Sequence, residues 1–399
     1  MLKEKRLVPQ LRFSEFEGEW EKKTLFDISK QVAYGMNAAA KSYDGENKYL
    51  RITDIDESTR RFIPNPLSSP KGKIEKKYIL KKGDIVFTRT GASVGKSYLY
   101  DEKDGKLLYA GFLIKFNIIN SNPYFVFLQT FRESYRKWVQ VYSMRSGQPG
   151  LNAEEYKSLI INIPQSKEQQ KIANFLTAID NRIQTLEKKK SGLEQYKKGV
   201  MQKIFKQELR FKDDTSTTLS ASDGKAFPEW EEKKLGQTGN IKKGKQLNKE
   251  ELTLSGTYPC QNGGISPSGY TEEYNTVGNT ITISEGGNSC GYVNYMQSKF
   301  WCGGHCYSIL ELKKEVNALF LFQYLKFNEY GIMRLRVGSG LPNIQKKDLL
   351  MFEVKLPCIE EQTKIANFLS AIDRNIELVT KKIEHTKTYK KGLLQQMFV

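Results

Sequence analysis

The feature that most constrains this chain is a long helical segment written twice. From Pro164 to Phe205 the sequence reads PQSKEQQKIANFLTAIDNRIQTLEKKKSGLEQYKKGVMQKIF, and from Pro357 to Phe398 it reads PCIEEQTKIANFLSAIDRNIELVTKKIEHTKTYKKGLLQQMF, the same text moved 193 residues along without a gap. An internal repeat of this length fixes the architecture before any local argument does. Apolar residues of the first copy fall on two interleaved rows seven apart: Ile172, Ile179, Leu186, Leu193 and Val200, then Leu176, Ile183 and Ile204, with Lys190 and Lys197 interrupting. The second copy repeats the ladder with Ile365, Ile372, Val379 and Leu393, then Leu369, Ile376, Ile383 and Met397, interrupted by Thr386 and Lys390. Alternating steps of three and four over about five heptads mark a coiled-coil seam rather than a generic amphipathic helix. Each helix spans about 60 Å at ~1.5 Å per residue.

Ser166 follows Pro164 and precedes Gln169 by three residues, which predicts a capping box at the first helix start; Ile359 stands where the second copy would need that serine. A narrow seam must be buried, and two near-identical seams in one chain offer each other as partners. The expected arrangement is an antiparallel pair related by a pseudo-two-fold axis. The plainer alternative is two helices that each dock only on their own domain.

With 399 residues the chain has room for two or three domains. Its 63 Lys and Arg against 45 Asp and Glu give a net charge of +18, which favours a polyanionic partner, nucleic acid before an anionic membrane. Apolar runs such as Leu159 to Ile163 fall far short of the ~20 residues a membrane span needs. The opening MLKEKRLVPQLRF has no apolar core of signal-peptide length, so a cytoplasmic protein is expected. The five cysteines, Cys260, Cys290, Cys302, Cys306 and Cys358, are an odd number confined to the second half, which suits reduced thiols.

Both halves open alike, EWEKKTL from Glu19 and EWEEKKL from Glu229, but Trp20 and Pro164 lie 144 residues apart while Trp230 and Pro357 lie 127 apart. The halves therefore share a frame and differ in content. In the first, Tyr49 to Ile55, Asp84 to Thr88, Ser97 to Tyr100 and Leu113 to Asn117 read as strands, and one helix is expected from Pro123 through YFVFLQTFRESYRKWV. A glycine turn, Ser146-Gly147-Gln148-Pro149, and a last strand, Leu159 to Ile163, lead into the long helix. The second half repeats the plan with Thr280 to Ser284, Ala318 to Phe327 and the turn Ser339-Gly340-Leu341-Pro342. The expected fold class is α+β: two domains with curled, mostly antiparallel sheets, joined by the two long helices. Their expected bounds are 1–163 and 229–356 for the domains, 164–211 and 357–399 for the helices, and 212–228 for a polar, Ser/Thr-rich linker.

Motifs of catalysis fail on inspection. Gly91-Ala92-Ser93-Val94-Gly95-Lys96-Ser97 has three residues between its glycines, where a phosphate-binding loop needs four and a helix after the serine. It reads instead as a glycine turn whose Ser93, Lys96 and Ser97 reach a phosphate backbone. Asn122-Pro123-Tyr124-Phe125 lacks the second proline of an amino-methyltransferase signature and opens a helix, and no strand is followed by a glycine-rich cofactor loop. Glu353-Val354-Lys355 has no Pro-Asp partner of a nuclease site upstream. Cys290, Cys302, His305 and Cys306 have enough ligands for zinc, yet neighbouring His305 and Cys306 would point to opposite sides of a strand. With His385 the only other histidine, acid–base catalysis has little material. No catalytic residue, metal or bound cofactor is expected.

A binding inventory remains. Candidate nucleic-acid contacts are Lys41, Arg51, Arg60, Arg61, Arg89, Ser93, Lys96, Arg145 and Gln148 in the first half. Those of the second are Lys243, Lys245, Gln261, Asn262, Asn288, Tyr292, His305, Arg334, Arg336 and Asn343. Arg, Lys, Asn and Gln pair with base edges, and the remaining positive charges hold phosphates. Any one of them alone reads as a solvated surface charge; two matched sets on two unequal domains suggest two different words being read.

The chain resembles the specificity subunit of type I restriction-modification systems. The resemblance is carried by EQQKIANFLTAID and EEQTKIANFLSAID, by the YKKG sites at Tyr196 and Tyr389, by the EWE openings at Trp20 and Trp230, by the glycine-proline turns before Leu151 and Ile344, and by ISEGGNSCGYVNY…FWCGGHCY. It implies a protein without catalysis, in which each domain reads half of a bipartite double-stranded DNA site and the helices set the gap. It also implies two methyltransferase subunits using S-adenosylmethionine and restriction subunits using ATP and Mg. A stand-alone DNA-binding or coiled-coil adaptor protein, and a methyltransferase fused to its reader, are the other readings.

Overall fold

The computed structural model describes residues 6–213, 225–338 and 340–399. Residues 214–224 of the expected linker and Ser339 of the expected turn lie outside the described residues. The chain divides into two compact units, 1–186 with 382–399 and 187–381.

Each unit is built on the same four-stranded antiparallel sheet. In the first unit the order is Ser29–Tyr34, Leu113–Ile118, Asp84–Thr88, Ser97–Leu99; in the second it is Asn240–Lys243, Cys306–Leu310, Thr280–Ser284, Val293–Met296. The central strands DIVFT and TITIS are buried at all five positions, because the sheet is covered on both faces. The two-residue strand period sorts the first sheet's side chains. Ile85, Phe87, Ile114 and Phe116 enter the core shared with the long helix, while Val86 and Leu113 join Leu50, Leu107 and Tyr109 on the other face. Each unit adds one parallel pair, Lys48–Leu50 with Leu107–Tyr109 and Tyr258–Gln261 with Trp301–Cys302. An antiparallel pair ties each opening EWE strand to the strand before the long helix, Glu21–Thr24 with Ile160–Ile163 and Glu231–Lys234 with Glu353–Leu356.

Two local expectations are corrected. The stretch from Tyr49 to Ile55 is a strand only to Leu50 and then a 3₁₀ turn, Ile52–Asp54. The Asp54 carboxylate accepts the Arg51 N–H (2.9 Å) and both arms of its guanidinium, a local bond that competes with strand pairing. The expected single helix after Asn122 is two, Pro123–Gln129 and Glu133–Ser143. It breaks where the Thr130 hydroxyl turns back onto the Phe127 carbonyl (2.7 Å) and shares a 2.7 Å hydrogen bond with Ser97.

The long helices run Ser166–Phe205 and Ile359–Gln396. The first begins at the expected serine, but Gln169 has a different task. Its Oε1 accepts the Asn122 N–H (2.9 Å) and its Nε2 donates to the Pro164 carbonyl (2.8 Å). Gln362 repeats both bonds with Asn317 and Pro357, so the second helix needs no serine cap.

One residue earlier lies the tightest junction. Glu168 is buried, and its carboxylate accepts two hydrogen bonds of 2.8 Å from Arg12 and one of 3.3 Å from Trp20 Nε1. Glu361 receives Arg210 (3.2 and 2.8 Å) and Trp230 Nε1 (3.2 Å) in the same way. The arginines belong to a second repeated word, Leu11-Arg12-Phe13 and Leu209-Arg210-Phe211. Its phenylalanines meet the helix aromatics edge-on, Phe13 on Phe175 and Phe211 on Phe368, both at 5.8 Å.

Within each unit the start of one long helix lies against the end of the other. Ile172, Leu176, Ile179 and Ile183 share the first unit's core with Leu393, Leu394, Met397 and Phe398. Val200, Met201, Ile204 and Phe205 share the second unit's core with Ile365, Leu369 and Ile372. Val379 and Ile383 are buried as well, while Leu186, Leu193 and Ile376 are half-buried. Two of the polar interruptions pair with the other long helix: Lys197 Nζ reaches both oxygens of Asp373 (2.7 and 2.8 Å), and Lys390 Nζ reaches both of Asp180 (2.7 and 2.8 Å). These pairs are equivalent under the 193-residue shift.

Removing one partner of a buried ion pair strands the other. Glu168→Ala is expected to destabilise the full chain by about 3 kcal/mol in guanidinium denaturation, and Glu168→Gln, which keeps an acceptor for Trp20, by less. A loss below about 1 kcal/mol for the alanine variant would show that the clasp is dispensable.

Candidate nucleic-acid interface

The two sheets end in matching turns. After the central strand of the first unit comes the 3₁₀ turn Gly91–Ser93, and after that of the second comes Gly287–Ser289. Both glycines that open these turns have positive φ, 72° and 73°, as do Gly95 and Gly291 that close them, 85° and 87°. Neither turn leads into a helix: Ser97–Leu99 is a strand, so the phosphate-loop geometry is absent. Each turn is laced to the glycine-proline segment before the last strand. Gly91 N–H donates to the Pro149 carbonyl (2.9 Å) and Gly287 N–H to the Pro342 carbonyl (3.0 Å).

Arg89, Ser93 and Gln148 meet at the first turn. The Arg89 guanidinium lies 4.9 Å over the Tyr34 ring, the Ser93 carbonyl accepts the Thr88 hydroxyl, and the Gln148 amide fills the space a Gly91 side chain would need. Lys96 and Arg60 gather instead around Glu57, at 2.9 and 4.0 Å. Lys41 pairs with Asp44 (3.5 Å), Arg51 is held by Asp54, Arg145 pairs with Glu155, and Arg61 is half-buried.

In the second unit Lys243 Nζ bonds Glu285 Oε1 (2.6 Å), which also accepts the Tyr307 hydroxyl (3.0 Å). Burial, with Glu285 next to it, pushes that hydroxyl's pKa above its ordinary value. His305 Nδ1 stands 3.8 Å from Glu285 Oε2, and the His305 N–H donates to Asn262 Oδ1 (3.1 Å). Asn288 is exposed on the 3₁₀ turn, and Asn343 bridges Gly286 and Val337. Arg334 and Arg336 are exposed after the helix Glu329–Met333, and Lys245 is exposed after the edge strand. Gln261 is buried with its Nε2 on the Gly264 carbonyl, and Tyr292 is half-buried beneath Lys326 Nζ (3.8 Å). These last two stand apart from the exposed set.

The cysteines read as core. Cys260, Cys290, Cys302 and Cys306 are buried, and burial pushes the Cys260 thiol up to about 11. His305 is exposed while Cys306 beside it is buried, the opposite facing expected of a strand. Among the described residues no group of three or more His, Cys, Asp or Glu is placed to hold a metal, and no helix is long and apolar enough to cross a membrane. Glu353 and Lys355 form cross-strand pairs with Lys234 (2.7 Å) and Glu232 (3.0 Å).

A family model described as the type I restriction modification DNA specificity domain matches this chain twice, at residues 17–195 and 228–387. The chain belongs to that family. A putative type I restriction enzyme MjaX specificity subunit of Methanocaldococcus jannaschii is 28% identical over 398 residues, 95% of this chain and 93% of that protein. A putative type I specificity subunit of Mycoplasma pneumoniae, S.MpnORF638P, is 36% identical over 171 residues, 42% of this chain and 45% of that protein. The crystal structure of a type I restriction-modification S subunit from M. genitalium superposes with a TM-score of 0.67 at 19% identity, covering 98% of this chain and 99% of that one. As a specificity subunit the chain recognises DNA sequence and is not itself an enzyme.

Recognition by a protein of charge +18 carries a large counterion-release contribution. Affinity for random duplex should fall steeply with salt, with log K linear in log salt, and Lys245→Ala should reduce the slope by about 0.9 if that exposed lysine neutralises one phosphate. Salt-independent binding in filter or fluorescence titrations would overturn the phosphate-contact reading.

Proposed function

We propose that this specificity subunit reads an asymmetric, bipartite DNA site, with one half-site for domain 1–163 and the other for domain 229–356. The long helices set the gap between the half-sites. The supporting observation is that one strand order and one glycine turn are built twice, with unlike side chains mounted on them. Identical scaffolds with identical surfaces would read a repeated word; these surfaces differ. The candidate contacts named from the sequence are proposed as the positions from which phosphates and base edges are reached.

The partners proposed are two methyltransferase subunits, which bring S-adenosylmethionine, and restriction subunits, which bring ATP and Mg. This chain holds none of those cofactors, and the assembly works in the cytoplasm. The repeated helices supply two equivalent docking stretches, which accounts for two copies of one partner. Tyr196 and Tyr389, which open the YKKG words, are exposed in both copies and belong to that stretch.

Co-expression with the genomically adjacent methyltransferase, followed by single-molecule sequencing of modified adenines, should give a non-palindromic motif of two parts with a fixed gap. Seven residues inserted into both long helices, about 10 Å of helix, should lengthen that gap by about three base pairs while leaving both words unchanged. A contiguous or palindromic motif, or modification that does not depend on this chain, would leave the adaptor reading in its place.

A further inference from the structure

The duplication allows one domain to serve as the alignment of the other, and it isolates three positions in each. At the edge strand, Gly35 N–H donates to the Leu113 carbonyl (3.0 Å) and Gly244 N–H to the Cys306 carbonyl (2.8 Å). After the central strand, Arg89 N–H donates to the Phe112 carbonyl (3.0 Å) and Glu285 N–H to the His305 carbonyl (2.9 Å). The Arg89 and Glu285 carbonyls in turn accept the N–H groups of Leu151 and Ile344, both at 2.8 Å. The backbone of this corner is therefore the same in both units. Its side chains are Tyr34, Arg89 and Phe112 in the first, and Lys243, Glu285 and His305 in the second.

All three change chemical class, although some also brace their corner: the Tyr34 hydroxyl accepts the Ala153 N–H (3.1 Å), and Glu285 Oε1 accepts Lys243 (2.6 Å) and Tyr307 (3.0 Å). Phe112 is 59% exposed on the surface, and the His305 side chain is 65% exposed at the same place. The Arg89 guanidinium makes no hydrogen bond or ion pair among the described residues and lies over the Tyr34 ring. Glu285 is only 4% exposed, yet its Oε2 has no hydrogen-bond partner. A buried carboxylate oxygen without a donor costs free energy, and a scaffold that keeps one needs a donor from elsewhere.

We infer that this corner is the specificity-determining site of each domain: Arg89 donates to a guanine in one half-site, and Glu285 accepts from an exocyclic amino group, of cytosine or adenine, in the other. The inference rests on the bipartite reading proposed above. A guanidinium carries donors only, in a fork that matches guanine N7 and O6, and a carboxylate accepts only. Phe112 beside Arg89 suits a thymine methyl, whereas the exposed His305 imidazole swings away from Oε2 to admit the amino group. One scaffold thus carries two opposite hydrogen-bonding polarities.

The test uses the full chain in complex with its methyltransferase, after the motif of the unaltered protein has been mapped. Each guanine of the first half-site is replaced in turn by 7-deazaguanine. One of these replacements should weaken binding about tenfold, and the penalty should vanish in Arg89→Ala. Arg89→Lys keeps the charge and loses the fork, so binding to random duplex should stay within about twofold while the guanine preference is lost. Glu285→Gln should relax one position of the second half-site only, and substituting cytosine or adenine there tells which base carries the amino group. Retained recognition of the untouched half-site certifies that each variant is folded. A 7-deazaguanine penalty that persists in Arg89→Ala, an equal loss on all duplexes, or an unchanged motif in both Arg89→Lys and Glu285→Gln would overturn the inference. If the unaltered complex shows no bipartite motif, the failure lies with the proposed function instead.

Discussion

Everything in each unit hangs from a buried carboxylate one turn into a long helix. Glu168 and Glu361 are wholly removed from solvent, and each is compensated by a bidentate arginine and an indole N–H. A carboxylate in such a place is tolerable only when its donors are fixed, and here the donors come from the segment that opens each domain. The opening EWE strand is thereby held against the helix start at the residue where it enters the sheet pair. The next residue, Gln169 or Gln362, ties the same helix turn to the N-terminus of the domain's own helix. With Gln169 and Gln362 also bonded to the Pro164 and Pro357 carbonyls, two adjacent helical positions thus fix the opening, the helix start and the end of the globular segment to one point. The content between those ends is free to vary, which is how halves of 144 and 127 residues keep one frame.

The seam obeys a related logic. A stripe of aliphatic residues would let antiparallel helices slide by a heptad at little cost. Lys197 with Asp373 and Lys390 with Asp180 penalise such a slip, since a shifted lysine would leave its carboxylate unpaired. Ion pairs of this exposure add little to stability, so their value lies in register. Phe205 and Phe398 finish the arrangement: the first packs on Trp230 and Phe320, the second on Trp20 and Phe125, at ring separations from 5.0 to 6.5 Å. The end of each helix therefore belongs to the core that the start of the other helix helps to form.

Much of this was legible in the sequence because its signals are local or repeated. The long helices announce themselves through text and period, and DIVFT and TITIS through length and apolarity. What escaped was chemistry acting across distance or against local preference. The clasp joins Arg12 to Glu168 over 156 residues, and nothing near either residue marks it; the word Leu-Arg-Phe, written twice, was the available clue. Thr130 and Asp54 broke a helix and a strand through single side-chain bonds that propensity does not weigh. Arg51, Arg145 and Gln261 have the chemistry of base readers, and the fold also gives each a partner within its domain. Neither Glu285 nor Phe112 fits the expected profile of a basic DNA contact.

That mismatch follows from how sequence recognition differs from DNA affinity. Affinity comes from positive charge, which the composition shows at once, and it is indifferent to the word being read. Discrimination needs hydrogen-bonding groups of the correct polarity, and two of the four bases present an amino donor in the major groove that only an acceptor can read. A reader of varied words must therefore place carboxylates among its cations, where a search for basic patches passes over them. The corner that carries Arg89 in one domain and Glu285 in the other has this property. Its backbone bonds agree to within about 0.2 Å between the domains, while the side-chain charge reverses. The shared frame asks for the first constancy and does not dictate the second change, so the reversal of charge is read as the mark of what each domain reads.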